Sequence, residues 1–384
     1  MTLVYARGII KSHRYLLKNN KINKSAVRNS VILLVPIYQE AQIIDQTFNY
    51  FHQIVDKLNI KIIFITTEVE GSIYTNKTYL SVKKLTGKNN NIVLEHYPKI
   101  RGSKASQLNL VMEKYKDQTD YFAIFDADSR PDIRGIQYVM QAAKKTNVFQ
   151  MPSVYLPHQS NTLSSQSMAN FQTRWSYCFE IPKWRTWQDQ PHRSQVMYVV
   201  GHGLFVQTDI RFSEQTIAED LELGYRLSAQ RATLSVVPFF DYALVPRKFT
   251  TTIIQSSRWY YGELLAPATF WKHVRISNNA VQYIYRCVIR YAQILLWMLG
   301  PILIIASLIT AASHPLLLTV DLATIGIYWL IHALICSYRQ ASYSSLILMP
   351  FKLVINGLGP MLCVVYTILD LLKIREFHFL KTKR

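Results

Sequence analysis

The chain has 384 residues, a formal net charge of +19 and 49% hydrophobic residues, a length that admits two or three domains. Such a charge suits nucleic acid, but no zinc-ligand spacing, RNA-binding signature or helix-turn-helix pattern accompanies it. The basic clusters instead flank apolar segments, where each Lys or Arg attracts anionic lipid by about 1 kcal/mol, so membrane contact is expected and nucleic acid is not. Cys178, Cys287, Cys336 and Cys363 are scattered, which excludes a disulfide framework.

Residues 1–30 hold seven Lys or Arg, no acid and no long apolar core, so no secretory signal is expected there. Arg7, Lys11, Arg14 and Lys18 recur at helical spacing against Ile9, Ile10, Leu16 and Leu17. This predicts an interfacial amphipathic helix, with a solvated basic tail as the alternative. Val31–Val35 is an apolar run stopped by Pro36 and reads as a buried strand. A helical pattern over 41–58 follows, then a strand at Lys61–Ile65, a helix near 75–86, a strand at Ile92–Glu95, a helix over Lys104–Tyr115 and a strand at Tyr121–Phe125. Strands alternating with helices predict an α/β fold with a mostly parallel sheet, whose ligands bind beyond the carboxyl ends of the strands.

Val148–Leu156 and Met197–Gln207 read as further strands. Between them Phe171, Trp175, Tyr177, Phe179, Trp184 and Trp187 predict amphipathic packing or interface anchoring, with sugar stacking as the alternative. Beyond an interfacial helix from residue 276, stretches 291–313 and 315–336 are long enough to span a bilayer. A third apolar stretch, 345–372, is interrupted by Pro350, Lys352, Gly357, Gly359 and Pro360. It reads as a third span or as a re-entrant hairpin bent at Gly357–Pro360. The hairpin is the preferred reading, since it keeps Lys373, Arg375, Lys381, Lys383 and Arg384 on the cytosolic side. The expected organisation is a basic segment at 1–30, a cytosolic domain at 31–275 and membrane helices with a basic tail at 276–384.

Three polar motifs carry chemistry. Asp126 and Asp128, one residue apart at a strand end, project to one face in an extended backbone. Their hard oxygens suit a Mg2+ or Mn2+ ion that also binds substrate phosphates, the alternative being a solvated acidic turn. Glu219-Asp220 opens a helical pattern, where acids are also favoured by the helix dipole. Gln255, Arg258 and Trp259, at i, i+3 and i+4, share a helix face able to hold hydroxyls, phosphate and a sugar ring.

In order and spacing these motifs resemble those of the family 2 glycosyltransferases, particularly the membrane-bound polysaccharide synthases, over roughly residues 30–270. The resemblance implies a GT-A fold followed by transmembrane helices, with Asp126 facing the nucleotide and Asp128 taking the metal. It makes Asp220 the general base, Glu219 its supporting carboxylate, and Gln255, Arg258 and Trp259 the acceptor and diphosphate contacts. Pro36, Tyr38 and Glu40 resemble the segment bordering the base pocket, and Arg101-Gly102-Ser103-Lys104 with Leu108-Asn109 resembles an element in which Lys104 contacts the diphosphate. Gly201-His202-Gly203 corresponds to a loop lining the acceptor channel. Where the family places a base-contacting aspartate, this chain has Thr66-Thr67-Glu68, so Glu68 is the expected substitute.

The resemblance further implies an inverting, metal-dependent hexosyltransferase at the plasma membrane, multi-pass, with its catalytic domain cytosolic. Its donor is expected to be a UDP-sugar and its product an envelope, capsule or exopolysaccharide glycan, made with exporter or polymerase subunits. Single-sugar transfer to a polyprenyl phosphate or glycolipid is the alternative. A non-catalytic membrane subunit is disfavoured because Asp126, Asp128, Asp220 and Arg258 are all present.

Overall fold

The computed structural model describes residues 2–19, 22, 27–70, 73–86, 89–99, 103–143, 146–157, 162–192, 196–216, 218–246, 248–273, 280–311, 314–339 and 341–372. Arg101, Gly102, Ile217 and the basic tail from Lys373 lie outside them. Two compact units divide the chain, one of Leu16–Ser153 and Trp184–Ala243, the other of Met1–Tyr15, Val154–Lys183 and Leu244–Arg384. The single domain expected over 31–275 is therefore split, with 154–183 and the residues after 243 grouped with the C-terminal helices.

The first unit is built on buried apolar runs. The strands of the chain are β1 (Val31–Pro36), β2 (Lys61–Thr67), β3 (Ile92–Tyr97), β4 (Tyr121–Ile124), β5 (Arg130–Pro131), β6 (Val148–Gln150), β7 (Ser153–Leu156, in the second unit from Val154 on), β8 (Leu204–Gln207), β9 (Leu234–Val236) and β10 (Asp241–Leu244). Seven of them form a sheet ordered β3-β2-β1-β4-β8-β6-β9. The β1–β2, β2–β3, β1–β4 and β6–β9 pairs are parallel, and β8 runs antiparallel between β4 and β6. Strand order reverses at β1, which opens a crevice beyond the carboxyl ends of β1 and β4. Pro152 has no N–H for a ladder and separates β6 from β7, so the strand expected over Val148–Leu156 is two. The strand expected over Met197–Gln207 shortens to β8, because residues 197–203 form a loop with Gly203 at φ +62°.

Helices α2 (Ile44–Leu58), α3 (Lys77–Thr86), α4 (Lys104–Tyr115), α5 (Ile133–Gln141) and α8 (Glu219–Ala229) belong to this unit. Amphipathic α2 buries Phe48, Phe51, Ile54 and Val55 in the core shared with Leu33, Val35, Phe64, Phe125 and Phe205. Ser103 caps α4 in a reciprocal box with Ser106, which fixes Lys104 as the first helical residue. Gly224 of α8 lies so close to the Tyr198–Val199 backbone that a Cβ there would stand 2.1 Å from Val199 N.

The second unit contains α6 (Leu163–Trp175), continued by a π-helical turn (Ser176–Glu180), as well as α9 (Phe249–His273), α10 (Ala280–Ala311), α11 (Pro315–Arg339) and α12 (Met349–Leu371). The helix α7 (Ile181–Asp189) carries the chain back to the first unit, where Trp184 and Trp187 are buried with their indole N–H groups on Tyr198 O and Ala232 O. A polar ladder joins α6 to the C-terminal helices: Ser167 Oγ donates to Ser345 O at 2.6 Å, and Asn170 Nδ2 to Ser345 Oγ at 2.5 Å. The first residues of α1 (Thr2–Asn19) pack here as well. Ser12 Oγ donates to Tyr177 O at 2.8 Å and His13 stacks on Tyr338 at 3.7 Å, while Arg7, Ile10, Lys11 and Arg14 stay exposed. Thr2–Asn19 thus form a packed helix.

Ile284–Ala311, Pro315–Arg339 and Tyr343–Leu369 are each long and apolar enough to cross a membrane. The bend expected at Gly357–Pro360 does not form, because α12 runs unbroken with Pro360 inside it. Its two glycines serve close helix packing instead: a Cβ on Gly359 would lie 2.4 Å from Ser256 Cβ of α9, and one on Gly357 2.5 Å from Pro301 Cγ of α10. Proline removes the N–H that would bond the carbonyl four residues earlier. Trp297 Nε1–H donates to that carbonyl, Asn356 O, at 3.1 Å.

Candidate active site

The last backbone bond of β4 runs from Phe125 N to Leu34 O of β1, after which Asp126, Ala127 and Asp128 leave the sheet at the crevice. Lys104 Nζ reaches Asp126 Oδ1 at 2.7 Å and Gly201 O at 2.9 Å. Burial acts to lower the Lys104 pKa, but the charges of Asp126, Glu219 and Asp220 outweigh it and hold the ammonium above its ordinary value. Lys104 therefore stays a cation beside the carboxylates.

The other face of the same loop holds Asp220. Gly201 N–H donates to Asp220 Oδ2 at 2.8 Å, and Leu221 N–H to Asp220 Oδ1 at 2.9 Å. Gly201 thus bonds on one side to the Lys104–Asp126 pair and on the other to Asp220, which draws Lys104, Asp126, Glu219 and Asp220 around one loop. A Cβ on Gly201 would stand 2.9 Å from Asp220 Oδ2, so only glycine leaves the carboxylate where it is. Asn109 fixes the segment ahead of α8 from two sides, with Nδ2 donating to Phe212 O and Oδ1 accepting from Phe212 N–H, both at 2.9 Å.

Asp128 is 2% exposed and sits in a turn braced from beneath. Asp241, fully buried, accepts from Ser129 Oγ at 2.9 Å, and its Oδ2 lies 2.7 Å from His202 Nδ1. Burial pushes the Asp241 carboxyl above its usual range, against the hydrogen bonds from His202 and Ser129. The His202 imidazole, expected at an acceptor channel, thus ties the glycine loop to the turn that carries Asp128. Thr47 Oγ1 adds a bond of 2.5 Å to Ala127 O from α2.

The donor set at this strand end is two carboxylates on alternate residues, the hard oxygens that Mg2+ and Mn2+ prefer, so these residues fit such an ion. Among the described residues no group of three or more His, Cys, Asp or Glu gathers for a metal. An ion here would complete its shell with water and substrate phosphate, as Mg2+ commonly does.

After β1, Gln39 takes φ 56°, an uncommon conformation for a non-glycine residue. This turn sets Tyr38 and Glu40 beside β1, with Tyr38 N–H on Glu40 Oε2 at 3.4 Å. Glu68 follows β2 and is held by His96 of β3 at 2.7 Å. Gln255, Arg258 and Trp259 lie in the other unit, on α9, where Gln255 is buried and Arg258 and Trp259 are partly exposed. Asp241, Thr47 and His96 were not expected at the site; Gly201 was, as part of the Gly201-His202-Gly203 loop, though not as the residue between Lys104 and Asp220.

The model of glycosyl transferase family group 2 matches residues 121–369. Among solved structures, the chain is similar to the mannosyltransferase PcManGT from Pyrobaculum calidifontis, solved in complex with GDP-Man and Mn2+. The identity is 16% and the TM-score 0.52, over 93% of this chain and 95% of that one. Two further similar structures are S. aureus TarS 1-349 with UDP-GlcNAc and a glucosyl-3-phosphoglycerate synthase from Mycobacterium tuberculosis with Mn2+, UDP and phosphoglyceric acid. TarS is 13% identical over 86% of this chain and 90% of that chain, with a TM-score of 0.46. For the synthase the values are 12%, 65%, 80% and 0.39. At 16% identity the likeness to the mannosyltransferase shows a shared GT-A fold. No curated protein matches the sequence.

Proposed function

Because this chain belongs to glycosyl transferase family group 2, we propose that it moves a hexosyl group from a nucleotide-sugar donor to a membrane-associated glycan. We take the reaction to be inverting and metal-dependent. The observation that carries this reading is the Gly201 loop, which holds the Lys104–Asp126 pair and Asp220 on opposite sides of a single glycine. A donor diphosphate beside Lys104 and a deprotonating carboxylate beside the acceptor is the arrangement that in-line displacement at an anomeric carbon requires.

Asp126 and Asp128 would hold the Mg2+ or Mn2+ ion, which supplies charge neutralisation for the departing diphosphate. Lys104 adds a fixed cation on the same side. Asp220 takes the proton of the acceptor hydroxyl as its oxygen bonds to the anomeric carbon and the bond to the diphosphate breaks, with Glu219 supporting it. Gln255, Arg258 and Trp259 are assigned to acceptor and diphosphate on the strength of the family resemblance.

The three apolar helices, and the basic face of α1 with Arg7, Lys11 and Arg14 exposed, support a multi-pass protein of the plasma membrane resting on anionic lipid. Nucleotide sugar is then met on the cytosolic side. With three candidate spans among the described residues to line a polymer conduit, transfer of one sugar to a polyprenyl phosphate or glycolipid is the second reading, and a long polymer would call for exporter or polymerase subunits. Purified protein incubated with a panel of radiolabelled nucleotide sugars, membrane lipids and Mn2+ or Mg2+ tests this. Metal-dependent release of a nucleoside diphosphate is expected; a product ladder marks polymer synthesis, one discrete lipid product marks single transfer, and no turnover with any donor refutes the function.

A further inference from the structure

We propose that His96 is a positioning residue that turns Glu68 into a one-oxygen reader of the donor base, selecting a ring with a single imide N–H, as in uracil. The inference rests on the nucleotide-donor reading and adds to it the residue that sets base choice.

The geometry lies at the carboxyl ends of β2 and β3, the side of the sheet where ligands bind. Thr66 and His96 are partners across the parallel pair. Thr66 Oγ1 lies 2.9 Å from His96 Nδ1, and His96 Nε2 lies 2.7 Å from Glu68 Oε2. An ionised carboxylate only accepts, so Nε2 carries a hydrogen toward Glu68, while Nδ1 shares a hydrogen with Thr66 Oγ1, which also reaches Glu95 O at 3.4 Å. Tyr79 packs edge-on against the imidazole at 5.1 Å. The turn itself is pinned, with Val69 N–H on Thr67 Oγ1 at 3.2 Å and Asn76 Nδ2 on Thr67 O at 3.0 Å.

Two acids occupy this turn, and their surroundings differ. Glu70 Oε1 accepts from Thr78 Oγ1 at 2.6 Å and its Oε2 is buried, so it serves the start of α3. The Glu68 side chain is 25% exposed while His96 is 12% exposed. With Oε2 committed to the imidazole, Oε1 is the oxygen left to Glu68 for a ligand. One carboxylate oxygen matches one ring N–H. Guanine offers two adjacent N–H donors that want both oxygens, whereas cytosine and adenine turn a ring-nitrogen lone pair toward the carboxylate. A site built for a particular hydrogen bond rejects partners that leave its polar group unpaired.

Calorimetric titration of the full-length protein in detergent with UDP, GDP and CDP, in the presence of Mn2+, tests the inference. The wild type is expected to bind UDP at least tenfold more tightly than GDP, on the scale of one charge-assisted hydrogen bond. His96→Phe should weaken UDP by roughly tenfold and GDP by less, collapsing the ratio, while His96→Gln, which keeps an N–H, restores much of it. Glu68→Gln should shift preference toward CDP, since an amide can donate to the ring nitrogen and accept from the exocyclic amine. If His96→Phe fails to fold, His96→Gln and Thr66→Val carry the comparison. An unchanged UDP-to-GDP ratio in the variants, or wild-type GDP binding as tight as UDP, overturns the role of His96 while leaving the donor reading standing. A wild type that binds no nucleotide overturns both.

Discussion

Replacing Gly201 with alanine should cripple turnover while leaving the fold and the donor affinity nearly intact. The glycine is not in the left-handed region, since Gly203 is the described glycine that is. Alanine therefore meets no backbone strain at position 201, and the loss of unfolded-state freedom favours the variant by about 0.4–1 kcal/mol. The damage comes from the side chain. Its Cβ would lie 2.9 Å from Asp220 Oδ2 and 3.2 Å from both Asp220 Cβ and Cγ, inside normal van der Waals separation. The carboxylate has to retreat by roughly 0.5 Å, which stretches the present 2.8 Å bond from Gly201 N–H past the usual hydrogen-bond range. A lost bond to a charged group amounts to about 1.5–3 kcal/mol. A base displaced on this scale costs roughly 10- to 100-fold in rate, because proton transfer needs hydrogen-bond reach. The Gly201 carbonyl and its bond from Lys104 are untouched, so nucleotide affinity should stay within about twofold, a change worth less than 0.5 kcal/mol. Steady-state turnover at saturating donor, calorimetry with the nucleotide and a thermal melt make the three measurements. A variant that turns over at the wild-type rate refutes the placement of Asp220 against this glycine. A variant that loses donor affinity and rate together refutes the division of labour between the two sides of the loop.

Asp128→Asn should lower metal-dependent turnover by roughly 100-fold at saturating Mg2+ or Mn2+ without shifting the melt, since a neutral amide is a poor ligand for a hard cation; normal activity removes Asp128 from the metal site. Asp220→Asn should abolish transfer, by about 100- to 10,000-fold, yet bind nucleotide as the wild type does in calorimetry. Lost affinity there would make Asp220 a binding or structural residue. Gly224→Ala should destabilise the globular unit by about 3 kcal/mol or more, because the colliding atoms belong to the Tyr198–Val199 backbone and cannot swing aside. The check is a fall in melting temperature or in soluble yield.

How far the sequence reached depends on whether a feature is local. The β1, β2 and β4 runs are legible because a strand buried on both faces needs little beyond an unbroken apolar stretch, and their ends show where the chain leaves the sheet. Asp126 and Asp128 are legible for the same reason, as paired acids at a visible strand end. The bracing of that turn is not legible. Asp241 meets Ser129 across 112 positions, and nothing in the Phe239-Phe240-Asp241 neighbourhood marks its carboxylate for burial under the motif. His96 lies one residue beyond the strand expected at Ile92–Glu95, and it gains meaning only because β3 pairs with β2 in the register that sets it beside Thr66 and within reach of Glu68.

The glycines separate local from tertiary logic most clearly. Read along the chain, Gly357, Gly359 and Pro360 say that a helix should break, because glycine and proline are poor helix formers in isolation. Read across the fold, the same residues say that three helices come close. Pro301 and Ser256 occupy the space a side chain would fill, and the Trp297 indole bonds the Asn356 carbonyl that Pro360 leaves without its usual partner. Gly201 and Gly224 repeat the point in the globular unit, where the missing side chains make room for Asp220 and for the backbone beneath α8. A glycine inside an apolar or helical pattern therefore predicts a close approach as readily as a break. Which of the two it is depends on a partner far away in the sequence.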